Sequence, residues 1–457
     1  MAKNKTVFAC QNCGAQSPKW MGRCPECGDW NSLVEEAVLA DRFEGKEKGW
    51  RPLKVEDTKP VLYEELGHHE VSRLGTGITG LDAVLGGGLV PGSLVLVSGE
   101  PGAGKSTLML QAAAQLADAG KVLYVSGEES EAQVKIRGKR LGIAPKQLYV
   151  YNETELDRII AEFDVMKPGL LIVDSVQTTF SARFSSAPGS VTQVREAAAQ
   201  LLLVAKNAQV PVLLVGHVNK EGQIAGPKTM EHIVDAVLML EGDRFQNFRI
   251  ARCLKNRFGP VSEISVFEMR HEGLIEVENP SKLFLSERAS GTSGSAVTAT
   301  VEGTRPFLIE IQALVSPTAY GAGRRTSEGF DHNRLALLLA IIERRAGIQV
   351  SANDVFLNVV GGVRLNEPGV DLAVALAVAS SALDKPLPDN TVFIGELGLG
   401  GEIRSVPAVE LRIKEAAAIG MTDLHLPASN ARKTKSPGSL KLHGQKDLSS
   451  MIDVLFG

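Results

Sequence analysis

Short apolar runs recur through the middle of the chain, separated by segments richer in polar residues. The runs are rich in β-branched residues and too short for core helices, so they predict buried strands. They are Leu94 to Val97, Val122 to Val125, Leu170 to Val173, Val212 to Val215 and Ala236 to Leu240. Helix-like segments lie between several of them, including Ser130 to Arg140 and Val191 to Asn207. This alternation indicates a largely parallel, doubly wound α/β sheet. Arg249 to Lys255 and Glu263 to Glu268 alternate in polarity and predict antiparallel edge strands.

A run of Ser, Gly and Thr at 290–295 predicts a loop or domain boundary. The pattern of apolar runs restarts after it, so we expect a second α+β or α/β domain. Its predicted strands are Ala296 to Val301, Phe307 to Leu314, Val355 to Val359 and Val392 to Gly395. Its predicted helices are Asn333 to Gly347, Val370 to Leu383 and Val409 to Gly420.

A complete Walker A loop follows the first predicted strand of the middle region. It reads Gly99-Glu100-Pro101-Gly102-Ala103-Gly104-Lys105-Ser106, and a predicted helix runs on from Thr107 to Leu116. Gly102 and Gly104 let the backbone turn its N–H groups towards a polyphosphate, which the helix dipole also attracts. Lys105 reaches the β- and γ-phosphates, and Ser106 places its hydroxyl on Mg²⁺. The chain is therefore predicted to bind ATP or GTP through residues 99–107.

Acidic residues follow two further predicted strands. Asp174 ends an apolar run about seventy residues after the loop, as a Walker B aspartate that holds Mg²⁺ would. Glu128 and Glu129 follow the next strand after the loop helix, and a carboxylate there can activate the attacking water. Glu128 is favoured because it is closer to the strand tip; the alternative is that both stabilise a helix N-terminus. His217 could sense the γ-phosphate, or it could be a satisfied polar residue.

The pentapeptide Lys255-Asn256-Arg257-Phe258-Gly259 carries two cations two residues apart. On an extended segment such residues project to the same side. They could clamp a phosphate of ATP across a subunit boundary or of a nucleic-acid backbone. The alternative is a solvated basic hairpin tip.

Four of the five cysteines lie within the first thirty residues, as Cys10-x-x-Cys13 and Cys24-x-x-Cys27. A glycine follows each pair, so four thiolates can converge on a tetrahedral Zn²⁺. Two redox motifs would need a βαβ context that is missing here. The fifth cysteine, Cys253, is predicted to be a buried structural thiol.

The chain has 457 residues, 44% hydrophobic and 22% charged, as expected of a globular protein of about three domains. Its net charge of −4 means that nucleic-acid contacts must come from local basic surface. Aromatic residues are only 5%, which argues against extended base-stacking platforms as the main device for holding single strands. No secretory signal or membrane span is evident, so a cytoplasmic location is expected.

Taken together, these features resemble the bacterial RadA (Sms) recombination proteins over essentially the whole chain. The four-cysteine module, the Walker A loop, the pentapeptide at 255–259 and the C-terminal domain occur in that family's order. The resemblance implies a core like RecA and the DnaB-type helicases, and a ring of six subunits. It also implies that Lys255 and Arg257 contact the neighbouring subunit's γ-phosphate.

The resemblance further implies a DNA-stimulated ATPase that drives branch migration on single-stranded and branched DNA beside a RecA-type recombinase. The expected cofactors are ATP, Mg²⁺ and Zn²⁺. The loops between Phe180 and Gln193 and between Asn219 and Met230 are the expected DNA-channel loops. Arg183 and Lys220 are candidate phosphate contacts in them.

The C-terminal domain is similar to the proteolytic domain of Lon, which uses a Ser–Lys dyad. The corresponding turn reads Pro368-Gly369-Val370-Asp371-Leu372 and has no serine, while the expected lysine position falls on Leu411, near Lys414. Without a nucleophile there is no acyl chemistry. The domain is therefore interpreted as an oligomerisation scaffold and DNA-contacting surface, to which Arg324-Arg325 and Arg344-Arg345 could contribute.

The predicted organisation is a zinc module at 1–34, a linker at 35–70, a RecA-like P-loop ATPase at 71–275 and a Lon-protease-like domain at 285–457. The predicted function is an ATP-driven DNA motor in homologous recombination and repair. The alternatives are an ATP-dependent Lon-like protease and a KaiC-like nucleotide switch without motor activity.

Overall fold

The computed structural model describes residues 5–10, 15–38, 62, 72–217, 229–242, 248–318 and 323–457. The chain divides into two compact units, Met1–Glu276 and Val277–Gly457. Among the described residues, none of the helices combines the length and the hydropathy that a bilayer crossing requires.

The first segment of unit one is a small antiparallel sheet in the order β2–β1–β3. Its strands are β1 (Lys5–Cys10), β2 (Gln16–Ser17) and β3 (Leu33–Val38). Cys10, at the end of β1, packs with Cys24 and Leu33 in a small buried cluster. Cys24 is thus packed against the end of a sheet strand.

The centre of unit one is a mixed sheet in the order β12–β11–β10–β9–β4–β8–β7–β5–β6. Its parallel strands are β4 (Leu94–Gly99), β5 (Val122–Ser126), β6 (Leu148–Asn152), β7 (Leu170–Asp174), β8 (Val212–Val215) and β9 (Ala236–Glu241). Its antiparallel strands are β10 (Phe248–Asn256), β11 (Ile264–Arg270) and β12 (Gly273–Glu276). All predicted strands of this region are present, and β10 and β11 are antiparallel as predicted. They are not edge strands, however, because the unpredicted β12 pairs with β11 and forms that edge of the sheet. β6 was also not predicted, because its polar and aromatic residues leave no apolar run.

Helices cover both faces of the parallel strands inside the sheet, which is why those strands are apolar, whereas β6 at the edge is partly exposed. The helices are α1 (Thr79–Val84), α2 (Lys105–Leu116), α3 (Glu131–Arg140), α4 (Leu156–Met166), α5 (Val191–Ala208) and α6 (Thr229–Ile233). Successive residues of β4 enter different cores: Val95 and Val97 pack with α2, while Leu94 and Leu96 pack with α4 and α5. The loop strand β4 lies between β9 and β8, so β8 separates it from β7. This order agrees with the expected RecA-like core.

Unit two is built on another mixed sheet, in the order β15–β16–β14–β13–β17–β20–β21, with a separate hairpin β18–β19. The strands are β13 (Ser295–Glu302), β14 (Arg305–Pro317), β15 (Arg325–Glu328), β16 (Asn353–Val359), β17 (Thr391–Phe393), β18 (Glu396–Leu397), β19 (Ile403–Arg404), β20 (Asp423–Pro427) and β21 (Lys441–Gln445). The four predicted strands are β13, β14, β16 and β17.

Helices of unit two pack against this sheet. They are α7 (Pro280–Leu285), α8 (His332–Ala346), α9 (Asp371–Leu383), α10 (Val409–Ile419), α11 (Ala428–Ala431) and α12 (Leu448–Phe456). The three predicted helices are α8, α9 and α10. Helix α9 is buried from Asp371 to Ser380, which accounts for its lack of polar periodicity. A single 3₁₀ turn at Pro368–Val370 leads into it.

Candidate functional site

The Walker A loop connects the carboxyl end of β4 to the N-terminus of α2. Gly102 and Gly104 have φ angles of 89° and 102°, the left-handed region that the sequence required of them. A Cβ on Gly104 would also lie 2.6 Å from Met269 Cε and 3.1 Å from Leu274 Cδ1, so the position has no room for a side chain. Helix α2 begins at Lys105, two residues earlier than predicted.

Lys105 is the buried cation of this loop, with only 4% of its surface exposed. Its Nζ donates to the carbonyl oxygens of Gly99 at 2.8 Å and Glu100 at 3.0 Å. Burial lowers the pKa of the ammonium to about 8, against the opposing effect of Asp174 and Glu128. The ammonium is therefore held by two neutral acceptors, which a charged phosphate can replace.

Asp174 ends β7 and is 8% exposed. Tyr124, on the neighbouring β5, donates its hydroxyl to Asp174 Oδ2 at 2.6 Å. Burial first, and then this carboxylate, raise the pKa of Tyr124 well above its usual value, so the hydroxyl stays a donor. One oxygen of the predicted Mg²⁺-holding carboxylate is thereby fixed in direction.

Glu128 lies beyond the end of β5 and accepts two side-chain hydrogen bonds on Oε1. Ser175 Oγ donates at 2.5 Å, and His217 Nε2 lies 3.1 Å away. The His217 contact, then the Ser175 bond, lower the pKa of Glu128 to about 2 despite partial burial. A carboxylate held in this way stays ionised and can orient a water, but it is a weak proton acceptor.

Glu129 points elsewhere, although it is the adjacent residue. Its carboxylate pairs with Arg137 on α3, and its carbonyl accepts from Ser126 Oγ at 2.7 Å. The two adjacent carboxylates thus have different partners, whereas the sequence could only favour Glu128 over Glu129 for water activation. The assignment of water activation to Glu128 stays a prediction.

Lys255 and Arg257 both contact α6 or the residues that connect it to β9. Lys255 Nζ donates to the carbonyl oxygen of Val234 at 2.9 Å and also to that of Glu231. Arg257 Nη1 lies 3.2 Å from Asp235 Oδ1, and its backbone N–H donates to the Asp235 carbonyl at 3.0 Å. The two cations lie on the same side of the chain, as the spacing predicted.

The strand register places this pair away from the Walker A loop of the same chain. Asn256 pairs with Ala236, which pairs with Val95 near the start of β4, whereas the loop leaves β4 at Gly99. Four residues of strand span about 13 Å. Arg257 follows Asn256, and the chain there continues away from the loop. The two cations therefore lie towards the opposite end of the strands from the Walker A loop.

The other members of the pentapeptide hold its backbone in place. Asn256 Oδ1 accepts from the Phe258 N–H at 2.9 Å, and Asn256 Nδ2 donates to the Leu85 carbonyl at 3.2 Å. Arg73 Nη2 donates to the Phe258 carbonyl at 2.6 Å. These bonds tie the segment to the end of α1, so Asn256 has a structural role within the motif.

Three cysteine sulfurs converge where the end of β1 meets the segment that carries Cys24 and Cys27. The Sγ atoms of Cys10, Cys24 and Cys27 all lie within 4.8 Å of one another, and those of Cys10 and Cys27 are 3.7 Å apart. A tetrahedron with Zn–S bonds of about 2.3 Å has edges of roughly 3.8 Å. The geometry fits Zn²⁺; the fourth predicted ligand, Cys13, lies outside the described residues.

The predicted DNA-channel loops are covered unevenly. Arg183 pairs with Asp157 at 3.1 Å at a half-exposed position. Lys220 and most of the loop from Asn219 to Met230 lie outside the described residues. In unit two, the Arg325 guanidinium donates to the carbonyl oxygens of Asn353, Val350 and Ser351, which makes it a structural residue as well as a candidate contact.

Arg412 occupies the space beside the protease-like turn of unit two. It is 1% exposed and forms a two-pronged ion pair with Glu367, with one bond of 2.8 Å from Nη1 to Oε1. A Cβ on Gly369 would lie 3.5 Å from Arg412 Nη2. A satisfied ion pair therefore lies beside this turn, and Lys414 is exposed on α10.

Several of these residues were missed from the sequence. Tyr124, Ser175, Arg73 and Arg412 lie in or beside predicted elements, but nothing in the local pattern identifies their partners. The one available signal was the charged Arg412 between Leu411 and Ile413, because an arginine inside an apolar helical run is buried only when paired.

Three family profiles match the chain. They are the AAA domain at residues 63–223, the rubredoxin metal binding domain at residues 8–35, and subunit ChlI of Mg-chelatase at residues 334–430. These matches confirm the expected fold class of a zinc ribbon, a P-loop ATPase core and a ChlI/Lon-like C-terminal domain.

Curated relatives match over the full length. The DNA repair protein RadA of Bacillus subtilis (strain 168) is 47% identical over 458 residues, covering 100% of both chains. The protein of the same name from Streptococcus pyogenes serotype M1 is 46% identical, also over 100% of both chains. That from Listeria monocytogenes serovar 1/2a is 47% identical over 99% of this chain and 98% of its own.

Solved structures match a part of the chain. The crystal structure of a KaiC-like protein from Pyrococcus horikoshii covers 45% of this chain and 99% of its own, at 19% identity and a TM-score of 0.39. The crystal structure of the RadB recombinase covers 45% of this chain and 100% of its own, at 24% identity and a TM-score of 0.36.

Proposed function

The chain belongs to the bacterial RadA family of DNA repair proteins, and from that premise we propose that it is a DNA-stimulated ATPase acting as a ring-shaped motor. The motor promotes branch migration of recombination intermediates. The observation that carries the proposal is the position of Lys255 and Arg257, which lie towards the end of the strands opposite their own Walker A loop. A cationic pair so placed can serve a nucleotide only on a neighbouring copy.

Within one subunit, the described side chains divide the work of phosphoryl transfer. Lys105 exchanges its two carbonyl acceptors for the β- and γ-phosphates, and Ser106 with Asp174 holds Mg²⁺. Glu128 stays ionised and orients the attacking water. His217 contacts Glu128 directly, so a change at the γ-phosphate that moves either residue reaches the other.

Between subunits, Arg257 stabilises the charge that develops on the transferred phosphoryl group, as an arginine finger does. Apolar side chains around the pentapeptide support an interface there. Leu254, Phe258 and Val261 are 47%, 36% and 51% exposed, although each is hydrophobic. A neighbouring copy seated on this surface would cover them. Ring closure follows when each subunit meets the next in the same way, and six copies are expected.

Single-stranded and branched DNA are the proposed nucleic-acid partners, and a RecA-type recombinase is the proposed protein partner. Both proposals extend the resemblance and are supported by the family's role in DNA repair. Action on chromosomal DNA would place the protein in the cytoplasm.

Proteolysis has no support in unit two. The turn at Pro368 to Leu372 lacks serine, and Arg412 with Glu367 satisfies the adjoining buried charges. A nucleotide switch without motor activity differs from the proposal in one measurable respect: its ATP turnover would not respond to DNA.

The test of the shared site is a mixing experiment with two variants. Lys105→Ala removes the phosphate-binding ammonium, and Arg257→Ala removes the guanidinium offered to the neighbour. Each variant alone should be almost inactive. The two variants are then mixed and allowed to exchange subunits. Where an Arg257→Ala subunit, whose Walker A loop is intact, adjoins a Lys105→Ala subunit, whose Arg257 is intact, the interface forms one complete site. Turnover should therefore return in part. A mixture that stays as inactive as its components contradicts the shared site.

DNA dependence is tested separately, by ATP turnover of the wild-type protein with and without oligothymidylate at several salt concentrations. We expect stimulation that weakens steeply as salt rises, because phosphate contacts release counterions. Turnover that is equal with and without DNA would contradict the motor and favour the switch.

A further inference from the structure

Two exposed tryptophans lie side by side on the zinc module. Trp20 is 56% exposed and Trp30 is 69% exposed, more than any other aromatic residue among the described ones. Gly22 lies between them: a Cβ there would be 3.8 Å from Trp20 Cη2 and 3.9 Å from Trp30 Cζ3. The two ring edges are therefore no more than about 8 Å apart, and the glycine leaves the space between them clear.

One cation lies over the Trp30 indole, and a second precedes Trp20 in the sequence. Arg23 has its guanidinium carbon 5.8 Å from the Trp30 ring centroid, and its Nε donates to the Gly28 carbonyl at 2.7 Å, which fixes the side chain. Lys19 precedes Trp20 and is exposed. Aromatic faces next to fixed positive charge form the combination that holds single-stranded nucleic acid, with bases stacking on rings and phosphates on cations.

We propose that Trp20 and Trp30 form a stacking surface for the bases of single-stranded DNA, with Lys19 and Arg23 contacting the backbone. The inference rests on the proposed function, because it names a DNA contact of the same motor. It is compatible with the low aromatic content of the chain, since two rings suffice for a short platform beside channel contacts.

Exposure and charge favour nucleic acid over a protein partner as the occupant. A tryptophan that anchors a protein interface is most effective in a deep apolar pocket of the partner. Here the two indoles lie within about 8 Å of each other, and the Arg23 guanidinium lies over Trp30, while the Asp29 carboxylate is engaged by the Trp30 backbone N–H. A flat, anionic ligand therefore complements the exposed rings and the guanidinium. Unpaired bases offer such faces, whereas bases in a duplex are stacked on one another.

The first experiment uses intrinsic fluorescence of the zinc-loaded, full-length protein. The chain has three tryptophans, so Trp50→Phe leaves Trp20 and Trp30 as its only indole fluorophores. Titration with oligothymidylate should quench their emission to saturation, because stacked bases quench indole. A duplex of the same length should quench it much less. Absence of quenching by the single strand, at concentrations where an independent assay shows it bound, would overturn the proposal.

The second experiment compares affinities of matched variants for a labelled oligothymidylate. Trp20→Ala with Trp30→Ala should weaken binding by roughly ten-fold or more, since each stacked base contributes measurably. Trp20→Phe with Trp30→Phe should retain most of the affinity, because a ring remains. Zinc content measured for every variant checks that the module is intact. If the alanine pair binds the oligonucleotide as tightly as the wild type, the tryptophans do not stack on the bound strand and the proposal is wrong.

Failure here is distinguishable from failure of the motor. Turnover without DNA depends on the shared nucleotide site, which includes Lys105 of one subunit and Arg257 of the next, and it should be unchanged in all tryptophan variants. Quenching without any stimulation of turnover would contradict the motor but support the stacking surface. Stimulation that survives in the alanine pair at undiminished affinity would contradict the stacking surface but support the motor.

Discussion

The Walker A loop and the turn at Pro368 to Val370 are built alike but hold their buried cations differently. Each is a glycine-containing turn that leads into the N-terminus of a buried helix, α2 in one unit and α9 in the other. Lys105 in the first donates only to two backbone carbonyls. Arg412, which lies on α10 beside the second, binds both oxygens of Glu367 and the carbonyls of Ala299 and Pro407.

The difference separates a site that can exchange partners from one that cannot. Neutral carbonyls stabilise an ammonium weakly, so a phosphate that carries full charge can displace them. A guanidinium bound at both prongs to a carboxylate has its charge compensated and its donors satisfied, and no ligand offers it more. The same kind of turn therefore suits ligand binding in unit one and structural support in unit two.

The largest effect is expected from Arg412→Ala. It leaves the partly buried Glu367 carboxylate uncompensated, and we expect the free energy of unfolding of unit two to fall by about 3–5 kcal/mol. Calorimetric or denaturant unfolding of the full chain measures it. Arg404→Ala is the matched control: its exposed pair with Glu402 is worth about 0–1 kcal/mol. Equal losses in the two variants would contradict a supporting role for Arg412, and joint replacement of Arg412 and Glu367 by methionine should recover most of the loss.

Next in size is Lys105→Ala, which tests the exchangeable site. Turnover should fall by about 10²- to 10³-fold, as when a charge-stabilising donor is removed from a transition state. Stability should not fall, because the substitution removes a buried ammonium whose acceptors are only carbonyls. Steady-state turnover and thermal unfolding are the measurements, with the exposed Lys121→Ala as control. Loss of stability comparable to that of Arg412→Ala would erase the distinction between the two turns.

A smaller effect is expected from Tyr124→Phe, which removes the hydrogen bond to Asp174 but keeps the ring. The carboxylate then loses its fixed direction, so the Mg²⁺ concentration for half-maximal turnover should rise about ten-fold. Turnover at saturating Mg²⁺ should change little. Tyr149→Phe, at an exposed tyrosine of β6, should leave the Mg²⁺ titration unchanged. An unaltered titration in Tyr124→Phe would show that Asp174 needs no orienting partner.

The smallest effect is a pH dependence of kcat/KM for ATP. Its sign follows from Lys105: the ammonium binds phosphate, and burial lowers its pKa to about 8. Protonated enzyme is therefore lost as pH rises through 8, and kcat/KM should fall above that value, since this ratio reports the free enzyme. Lys105→Arg keeps its charge over this range, so whatever activity it retains should lack the decline. Persistence of the decline in that variant would assign it to another group.

Much of this molecule could be predicted from local patterns. The Walker A loop, the strand that ends at Asp174 and the paired cysteines each depend on a few neighbouring residues whose spacing carries the chemistry. The apolar runs that were predicted to be strands are strands of sheets whose faces are covered by other elements. An apolar run is favourable there because both of its faces are buried. β6 and the edge strands β15 and β21 were missed, since partly exposed strands carry no such run. The short strand β12 and the buried strand β20 were missed as well; in β20 the polar His425 interrupts the apolar residues.

Long-range pairing was decided by the tertiary structure alone. His217 meets Glu128 across 89 residues, and Arg412 meets Glu367 across 45. The sequence determined which residue types stand at turns and strand ends, because backbone sterics and burial act between chain neighbours. Strand order and helix packing decided which of those ends face one another. They thereby decided that Lys105 has acceptors a phosphate can replace, that Arg412 is held by a carboxylate, and that Lys255 and Arg257 lie away from their own nucleotide loop.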